Sequence, residues 1–515
     1  MRRAFILALL VALAVPWVTG ANPAGAGPSR QAEGPSKFRM FGAGYGHGLG
    51  LSQWGAYGLA KRGWGPSKIL GHFYSGTRVA RGSDPPGSLR IGLVQGKDSI
   101  RLEAQVGPIE IRLADPQSGS TAATIPPGET WKVRAASNEY VIVDQAGHEV
   151  DRVGGPADPI YVVYGSPDSL VRIPEAGHTY NRGSIEFALY SCAGGCAMRL
   201  VLTIDPQGYL YGLGEVPSSW PMSALKTQAI AARTYAFTKA AVSQHRAVCD
   251  CALYASSFDQ VYSGWDKEGG VDGDRWVSAV DQTDGQVVLN GEQTIQAFYM
   301  SSSGGYTENN ENVWGGTPID YLRGVCDPGD YTAENPNAVW ERTFTTAQVT
   351  GHLGLGIGAV TGFTNVDRGV SGRIVSVTVK GANGQAAISG DKLRSSLGLP
   401  DDRLWINADR SVTGEIRAKY DGLGCSPGLP TSRQVSVAGG QRQKFEEGMI
   451  YHSASAGGHF LRGLVLNRYL VKGGPAGRLG FPTSDVHRLA NGNLRASFER
   501  GVITCDPDDS SCTVG

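Results

Sequence analysis

The sequence predicts an α+β fold that is rich in β-strands and ends in a small repeat module. Residues 86–204 contain short segments in which apolar and polar residues alternate, as is typical of strands. Residues 222–242 are rich in alanine, with apolar side chains at helical spacing. A segment beginning at Phe445 recurs in similar form at Phe498, which indicates repeated units.

The composition limits the classes of protein to which the chain can belong. Among 515 residues, Lys+Arg and Asp+Glu number 47 each, and charged residues make up only 18%. Because the chain also lacks a basic run, we expect no nucleic-acid partner. A hydrophobic content of 41% argues against disorder, and 73 glycines without a collagen period indicate many turns.

The N-terminus is typical of an export signal. Arg2 and Arg3 precede an almost wholly apolar stretch over residues 4–18, and Ala24-Gly25-Ala26 fits a cleavage site. We therefore predict a signal peptide at residues 1–26, a linker at 27–37 and a secreted mature protein. The alternative of a membrane anchor is disfavoured because the apolar stretch is short.

The elements are predicted in chain order. A Gly-rich block at residues 38–80 ends in a helical pattern, and a strand is expected to end at Tyr209-Leu210-Tyr211. A loop at Gly212–Pro221 then leads to the helix Met222–Val242, whose small side chains allow close approach to a sheet. Residues 86–204 and 205–420 are expected to form the strand-rich part and the core of one domain. The clearest strands before Tyr209 are predicted at Ser99–Ala104, Ile109–Leu113, Tyr140–Val143 and Tyr161–Tyr164.

The C-terminal part is predicted to be a separate module. A Pro/Gly/Ser-rich linker is expected at residues 425–432, and the module at 433–515. Its two related segments, Phe445–Ile450 and Phe498–Ile503, are expected to form repeated β-turn units.

Eight cysteines fit an oxidising compartment. The pairs Cys192–Cys196 and Cys505–Cys512 are favoured because each closes a short, turn-rich loop. The Cys249-Asp250-Cys251 segment is expected to pair elsewhere, with Cys326 or Cys425. A zinc site is the alternative, although the chain lacks paired C-x-x-C knuckles and any H-E-x-x-H motif.

Glu215 is the leading candidate for a catalytic residue. It lies between glycine, proline and aromatic residues, directly before the Ala-rich helix. An apolar wall formed by Tyr209, Tyr211 and Trp220 would raise the pKa of its carboxyl and keep it protonated as a general acid. The opposing interpretation is a solvated surface charge, which is the usual role of a lone glutamate on a loop.

The segment from Glu215 to Ala236 resembles the core motif of the SpoIID/LytB family. The matching residues are Glu215-Val216-Pro217, Trp220-Pro221, Ala224-Leu225-Lys226, Gln228-Ala229 and Ala231-Ala232-Arg233-Thr234-Tyr235-Ala236. Similar segments follow at Gln260–Gly264, Phe298–Glu308 and Asp367–Arg373. An earlier one, Gly44–Ala56, resembles the family's G-H-G-x-G-x-S-Q-x-G-A signature, which Ile69–Thr77 continues.

The position of the G-H-G block departs from the family pattern. In familiar members it closes the C-terminal end of the domain, whereas here it precedes the rest, as in a circular permutation. Since permutation is tolerated where chain ends lie close together, we expect residues 41–77 to pack against the Glu215 domain, with His47 near the cleft. A separate N-terminal module is the alternative.

The resemblance implies a lytic transglycosylase that cleaves peptidoglycan after N-acetylmuramic acid and leaves 1,6-anhydro ends. Some family members act on strands stripped of stem peptides. Such an enzyme needs one acid/base carboxyl, here Glu215, because the sugar's own 6-hydroxyl replaces water as the nucleophile. No cofactor and no metal are implied.

Further residues are candidates for substrate binding or orientation. Arg233 is expected on a substrate oxygen or a third group, because direct contact with Glu215 would lower the pKa of that carboxyl; a structural ion pair is the alternative. His47 is a candidate second titrating group or a hydrogen-bonded spacer. The other candidates, for which turn or packing roles are equally compatible, are Gln53, Gln260, Tyr262 and Ser302.

The C-terminal module resembles an LGFP repeat through Leu479-Gly480-Phe481-Pro482 and its flanks, which implies association with the cell wall. The expected partners are peptidoglycan glycan strands and the wall itself. Three other functions stay open: an amidase enhancer that binds peptidoglycan and stimulates a partner amidase, a wall-anchored structural protein, and a conventional muramidase that uses water.

Overall fold

The structure is a computed structural model that describes residues 35–82, 84–192 and 195–515. The predicted signal peptide and most of the linker at residues 27–37 lie outside the described residues. No helix in the described part of the chain has the length and apolar character needed to cross a membrane.

Most helices in the described part of the chain follow the strand-rich residues 86–204. In chain order the helices are α1 (Gln53–Lys61), α2 (Pro66–Phe73), α3 (Pro206–Tyr211), α4 (Met222–Val242), α5 (Trp265–Glu268), α6 (Gly273–Asp281), α7 (Asn310–Trp314), α8 (Thr346–Leu353), α9 (Gly390–Leu397), α10 (Gly414–Gly422) and α11 (Gly463–Val471), with a 3₁₀ turn at Gly474–Ala476.

The first strands belong to the N-terminal block and to the strand-rich part. The N-terminal block contains β1 (Lys37–Gly42), β2 (Leu51–Ser52) and β3 (Arg78–Arg81). The strand-rich part contains β4 (Leu89–Lys97), β5 (Ser99–Val106), β6 (Ile109–Leu113), β7 (Thr121–Ile125), β8 (Thr130–Ala136), β9 (Glu139–Val143), β10 (Glu149–Val153), β11 (Ile160–Tyr164), β12 (Leu170–Ile173), β13 (His178–Tyr180), β14 (Ser184–Tyr190) and β15 (Ala197–Ile204).

The remaining strands follow the helix α3. The core contains β16 (Leu253–Tyr254), β17 (Gln286–Asn290), β18 (Gln293–Thr294), β19 (Tyr299–Met300), β20 (Trp340–Thr345), β21 (Val360–Arg368), β22 (Ile374–Gly381), β23 (Gly384–Ser389) and β24 (Leu404–Ile406). The C-terminal module contains β25 (Val435–Val437), β26 (Gly440–Phe445), β27 (Gly448–Ser453), β28 (Gly457–Leu461), β29 (His487–Arg488), β30 (Leu494–Phe498), β31 (Gly501–Cys505) and β32 (Cys512–Val514).

The architecture is mixed and strand-rich, as the sequence predicts. A seven-stranded sheet has the order β16-β4-β15-β14-β11-β6-β7, and a six-stranded sheet the order β10-β9-β8-β5-β12-β13. Both sheets contribute to one hydrophobic core, which also includes the buried face of α4. The alternating burial of β5 and β14 gives each strand one face toward this core. The core therefore holds α4, and with it the Glu215 loop, against the sheets.

The Ala-rich helix has the predicted bounds, Met222–Val242. The segment before it differs from the prediction, because Tyr209-Leu210-Tyr211 ends the helix α3 rather than a strand. Asp205 caps this helix by accepting a 2.8 Å hydrogen bond from the Gly208 amide, and Pro206 occupies its first turn. These two start signals outweigh the strand preference of the aromatic residues.

The N-terminal block joins sheets formed by distant parts of the chain. Strand β1 lies between β20 and β24, and β2 pairs with β19 in parallel. Strand β3 pairs with β17, which follows α6. Residues 37–81 therefore lie within the fold of the core and do not form a detached module.

The predicted repeat in the C-terminal module is two matching hairpins. Phe445 pairs with Gly448 at the end of β26–β27, and Phe498 pairs with Gly501 at the end of β30–β31. The match extends to side chains: Glu446 accepts a 2.9 Å bond from the Leu429 amide, and Glu499 accepts a 3.0 Å bond from the amide of Phe481.

The first of these repeats begins inside the predicted linker. The Thr431 amide donates to the Lys444 carbonyl at 2.9 Å, so residues 428–432 are bound to the first hairpin and do not form a free linker. The first hairpin also packs on the rest of the chain. Ile416 and Tyr420 of α10 share a buried cluster with Phe445 and Ile450.

The disulfides confirm two predicted pairs and correct a third. Cys192–Cys196 and Cys505–Cys512 are bonded as expected. The prediction for the Cys249-Asp250-Cys251 segment is wrong, because these two cysteines bond to each other. Asp250 has a φ of 54°, a left-handed conformation at the residue between the two cysteines. Cys326 bonds Cys425, which follows α10.

Candidate active site around Glu215

Glu215 lies on the loop between α3 and α4, which pairs with a second loop. The Gly214 amide donates to the Val261 carbonyl at 2.8 Å, and the Ser263 amide donates to the Gly212 carbonyl at 2.8 Å. A Cβ on Gly212 would lie 2.5 Å from the ring of Tyr262. The close approach that glycine allows here brings the Glu215 side chain to Val261 in the second loop, which connects β16 with α5.

Three neutral groups donate hydrogen bonds to the Glu215 carboxyl. Its Oε1 accepts from the Val261 amide at 2.7 Å and from the Tyr299 hydroxyl at 2.9 Å. Its Oε2 accepts from the Gln53 amide nitrogen at 3.3 Å. The carboxyl is therefore fixed in orientation while its side chain stays partly exposed.

Burial raises the pKa of Glu215 above its ordinary value. The hydrogen bonds from Val261, Tyr299 and Gln53 oppose this shift, because donors stabilise the charged form, but burial is the larger effect. A carboxyl with a raised pKa stays protonated to higher pH and can donate a proton as a general acid.

A directed chain of hydrogen bonds ends at Glu215. The Tyr209 hydroxyl donates to Gln260 Oε1 at 3.0 Å, and Gln260 Nε2 donates to the Tyr299 hydroxyl at 2.9 Å. Because Gln260 supplies the donor, the Tyr299 hydroxyl is free to donate its own hydrogen to Glu215. Gln260 is fully buried and also donates to the Ala232 carbonyl of α4, so the chain is anchored to the helix.

The structure brings Gln53 to the site through the start of α1. Ser52 caps this helix, its hydroxyl accepting a 3.0 Å bond from the Gly55 amide. The Ser52 hydroxyl in turn donates to buried Asp330. Gln53 is the first residue of α1, so this anchor determines where its amide reaches Glu215.

His47 contacts Tyr299, which in turn binds Glu215. Its Nδ1 accepts a 3.1 Å bond from the Leu49 amide, which leaves Nε2 as the donor to the Tyr299 carbonyl at 3.1 Å. Burial, together with the positive charges of Arg394 and Arg373, lowers the pKa of His47 to about 4. His47 is thus a neutral side chain that positions the backbone of Tyr299.

Three other sequence-predicted residues make contacts away from the Glu215 carboxyl. Arg233 is buried and donates to the carbonyls of Gln286 and Val280 at 3.1 and 3.3 Å. Among the described residues its guanidinium forms no ion pair, and Arg233 is not one of the groups that shift the pKa of Glu215. Tyr262 is buried in a stack with Tyr209, with ring centroids 5.2 Å apart.

Ser302, the third of these residues, belongs to a buried polar cluster below the site. Its hydroxyl donates to Asp330 at 3.0 Å, and the neighbouring Ser303 hydroxyl donates to Asp327 at 2.7 Å. Burial, together with the mutual repulsion of the two carboxylates, raises the pKa of Asp327 to about 8. Since Asp330 also binds Ser52, this cluster connects the serine segment with the start of α1.

Sequence reasoning missed Tyr299 and the two aspartates. Tyr299 lies within the Phe298–Glu308 segment, where the serine and glycine residues are the more conspicuous signal. Asp327 and Asp330 follow Cys326 on an irregular loop without any periodic pattern. The described residues contain no group of three or more His, Cys, Asp or Glu side chains placed to hold a metal ion.

Two family profiles match separate parts of the chain. The stage II sporulation protein (SpoIID) family matches residues 196–289, which include Glu215, Gln260 and Tyr262. The LGFP repeat matches residues 428–477, beginning where the first hairpin repeat begins in the structure.

Curated relatives agree with the first profile. An amidase enhancer of Bacillus subtilis is 35% identical over 135 residues, which is 26% of this chain but only 16% of that protein. Stage II sporulation protein D of B. subtilis is 28% identical over 241 residues, covering 45% of this chain and 68% of the relative. Stage II sporulation protein D of Bacillus amyloliquefaciens is 27% identical over 237 residues, covering 44% and 67%.

The two profile matches lie in different parts of the chain, and the structure shows how residues outside the first match reach Glu215. The SpoIID match ends at residue 289, before the segment that carries Tyr299, and starts long after Gln53. Glu215, which lies in the matched segment, is therefore bound by one side chain that precedes this segment in the sequence and one that follows it. The chain is thus a protein with a SpoIID-family domain and a C-terminal LGFP repeat.

Proposed function

We propose that this chain is a secreted lytic transglycosylase that cleaves peptidoglycan glycan strands after N-acetylmuramic acid. The observation that carries the proposal is the Glu215 carboxyl. It is partly exposed, its pKa is raised, and its hydrogen-bond donors among the described residues are all neutral. A hydrolase that follows the usual two-carboxylate mechanism needs a second carboxylate as base or nucleophile. A single carboxyl that first gives and then takes a proton meets the needs of the lytic reaction.

The reaction proceeds in two linked proton transfers. Protonated Glu215 donates its proton to the oxygen that leaves the anomeric carbon of N-acetylmuramic acid, and the glycosidic bond breaks. The resulting carboxylate accepts the proton of the sugar's 6-hydroxyl as that oxygen bonds to the anomeric carbon. The products are a 1,6-anhydro end and a free 4-hydroxyl, no water is consumed, and Glu215 is protonated again.

The hydrogen bonds at Glu215 support both halves of this cycle. Burial favours the neutral acid before bond cleavage, whereas the donors Tyr299, Gln53 and Val261 stabilise the carboxylate that forms. Gln260 and His47 contribute indirectly, because they hold the hydroxyl and the backbone of Tyr299. We assign Gln53 and Tyr299 to the site and give Arg233, Tyr262 and Ser302 structural roles.

The C-terminal repeat supports a location at the cell wall. We propose that the two hairpins bind the wall and raise the local concentration of the catalytic domain at its insoluble substrate. The similarity to an amidase enhancer favours a second candidate function, in which the chain binds peptidoglycan and stimulates a partner amidase.

The test is digestion of purified peptidoglycan, both intact and stripped of stem peptides, followed by mass spectrometry of the new ends. We expect 1,6-anhydro ends from the wild-type chain and a loss of roughly 10²- to 10⁴-fold in Glu215→Gln. Glu292→Gln is a matched control, since its side chain is 89% exposed and pairs only with Arg78 among the described residues. Reducing ends would indicate a muramidase, and stimulation of an added amidase without new ends would support the enhancer function.

A further inference from the structure

Trp314 exposes 55% of its surface, although tryptophan is usually largely buried. It is the last residue of α7, and Gly315 and Gly316 follow with φ values of 72° and 84°. These left-handed glycines turn the chain away directly after the indole. Tryptophan is enriched at interfaces, where its large flat ring can pack on a partner.

The chain around Trp314 is firmly held. The Asn310 side chain donates to the Thr317 carbonyl at 2.9 Å and accepts from the Ile319 amide at 2.8 Å. Arg323 pairs with Glu311 at 2.6 Å, which connects the two ends of the segment. The indole is therefore presented by an ordered loop, which reduces the entropy cost of binding a ligand.

Trp314 contacts the residues that position the catalytic group. Its ring centroid lies 4.7 Å from that of Phe298 in an edge-to-face arrangement and 5.1 Å from that of His47. Phe298 directly precedes Tyr299, whose hydroxyl binds Glu215 Oε1, and His47 binds the Tyr299 carbonyl. The exposed indole thus packs directly on residues that adjoin or hold Tyr299 in the candidate active site.

A second aromatic cluster lies next to the other carboxyl oxygen. Trp54 directly follows Gln53, which binds Glu215 Oε2, and its ring centroid is 4.9 Å from that of Trp220. Tyr57 completes this cluster at 5.0 Å from Trp220. Aromatic residues thus accompany both groups that donate to Glu215 from outside the SpoIID match.

We propose that Trp314 forms a subsite that binds one sugar ring of the glycan strand beside the ring cleaved at Glu215. A pyranose has polar hydroxyl groups around its edge and apolar faces made of C–H groups, and such a face packs well on a flat indole. Although Phe298 and His47 contact the indole, 55% of the tryptophan surface is exposed, so part of the ring is available to a sugar. The inference rests on the proposed function for the identity of the strand.

The subsite is tested by equilibrium binding in a background that cannot turn over. Glycan strands stripped of stem peptides are titrated into the full chain carrying Glu215→Gln, and the Kd is measured by calorimetry. Adding Trp314→Ala or Trp314→Leu should weaken binding about tenfold, since both remove the flat ring. Adding Trp314→Phe should preserve most of the affinity.

Two controls make the result decisive. Trp131→Ala removes a half-buried tryptophan from the six-stranded sheet and should leave the Kd unchanged. Unaltered circular dichroism of the Trp314→Leu and Trp314→Phe variants shows that the fold is intact. Equal affinity of Trp314→Leu and its parent would overturn the subsite, as would a parent that binds no glycan. Failure of the wild-type chain to make anhydro ends would instead reject the catalytic proposal while leaving a measured loss at Trp314 in place.

Discussion

The Tyr299 hydroxyl donates a 2.9 Å hydrogen bond to Glu215 Oε1 and itself accepts a 2.9 Å bond from Gln260. This contact joins the segment that follows the SpoIID match to the glutamate within it. Gln260 and His47 hold Tyr299 from its hydroxyl and its carbonyl, so the donor has one preferred orientation. The hydrogen bond between Tyr299 and Glu215 therefore defines the centre of the candidate site.

Tyr299→Phe should lower kcat for glycan cleavage roughly 10- to 100-fold, because a hydrogen bond to the carboxylate formed in the reaction is lost. The donor also lowers the pKa of Glu215, so its removal should raise that pKa further. The alkaline limb of the kcat/KM profile, where Glu215 loses its proton, should therefore move to higher pH. A pH–rate profile measures both effects, and a limb that moved to lower pH would contradict the assignment.

Arg233→Met should destabilise the fold with little effect on the chemistry. The substitution removes the buried donor to the Gln286 and Val280 carbonyls. The Val280 carbonyl still accepts from Thr283, so the loss is about 1–3 kcal/mol. Denaturant unfolding should show this loss, while the pH–rate profile of the folded variant keeps its alkaline limb. A shifted limb with unchanged stability would place the guanidinium in electrostatic contact with Glu215.

Asp327→Asn should change how stability depends on pH. In the folded protein the pKa of Asp327 is raised to about 8 from its ordinary value of 3.8, so the folded state retains a proton that the unfolded chain has lost. This carboxyl therefore contributes stability that is fully present below pH 4 and is lost as the pH rises to about 8.

Unfolding free energies from pH 5 to 8 measure this effect as the difference between the wild-type chain and Asp327→Asn. The comparison removes the opposite contribution of His47, whose lowered pKa of about 4 makes stability rise with pH. Wild-type stability should fall relative to the variant as the pH rises. Parallel curves over this range would show that Asp327 does not carry the proton.

Replacing Cys326 and Cys425 by serine should cost about 2–4 kcal/mol of stability, because their bond closes a loop between positions 99 residues apart. The bond also joins the loop that carries Asp327 to the segment directly after α10, the helix on which the first hairpin packs. We therefore expect the double variant to become sensitive to proteolysis in this region. Serines at Cys505 and Cys512, which are only 7 residues apart, should cost less, and an equal loss would argue against a clamp between the two parts.

Local sequence patterns determined several structural features of this protein. The helix Met222–Val242 follows from the spacing of its small residues, and the repeated hairpins follow from the recurrence at Phe445 and Phe498. The choice of Glu215 also came from neighbouring residues, since glycine, proline and aromatic side chains surround it in the sequence. These features depend on interactions over a few positions, which a linear pattern records.

Tertiary structure decided which residues surround that glutamate. Gln53 and Tyr299 lie 162 and 84 positions from Glu215, and no periodicity relates such distant residues. It also gave His47 a neutral positioning role and placed Arg233 against backbone carbonyls, because burial and hydrogen-bond partners determine what a polar side chain does. The cysteine pairing at 249–251 and the start of the first repeat at residue 428 were likewise set by contacts in space.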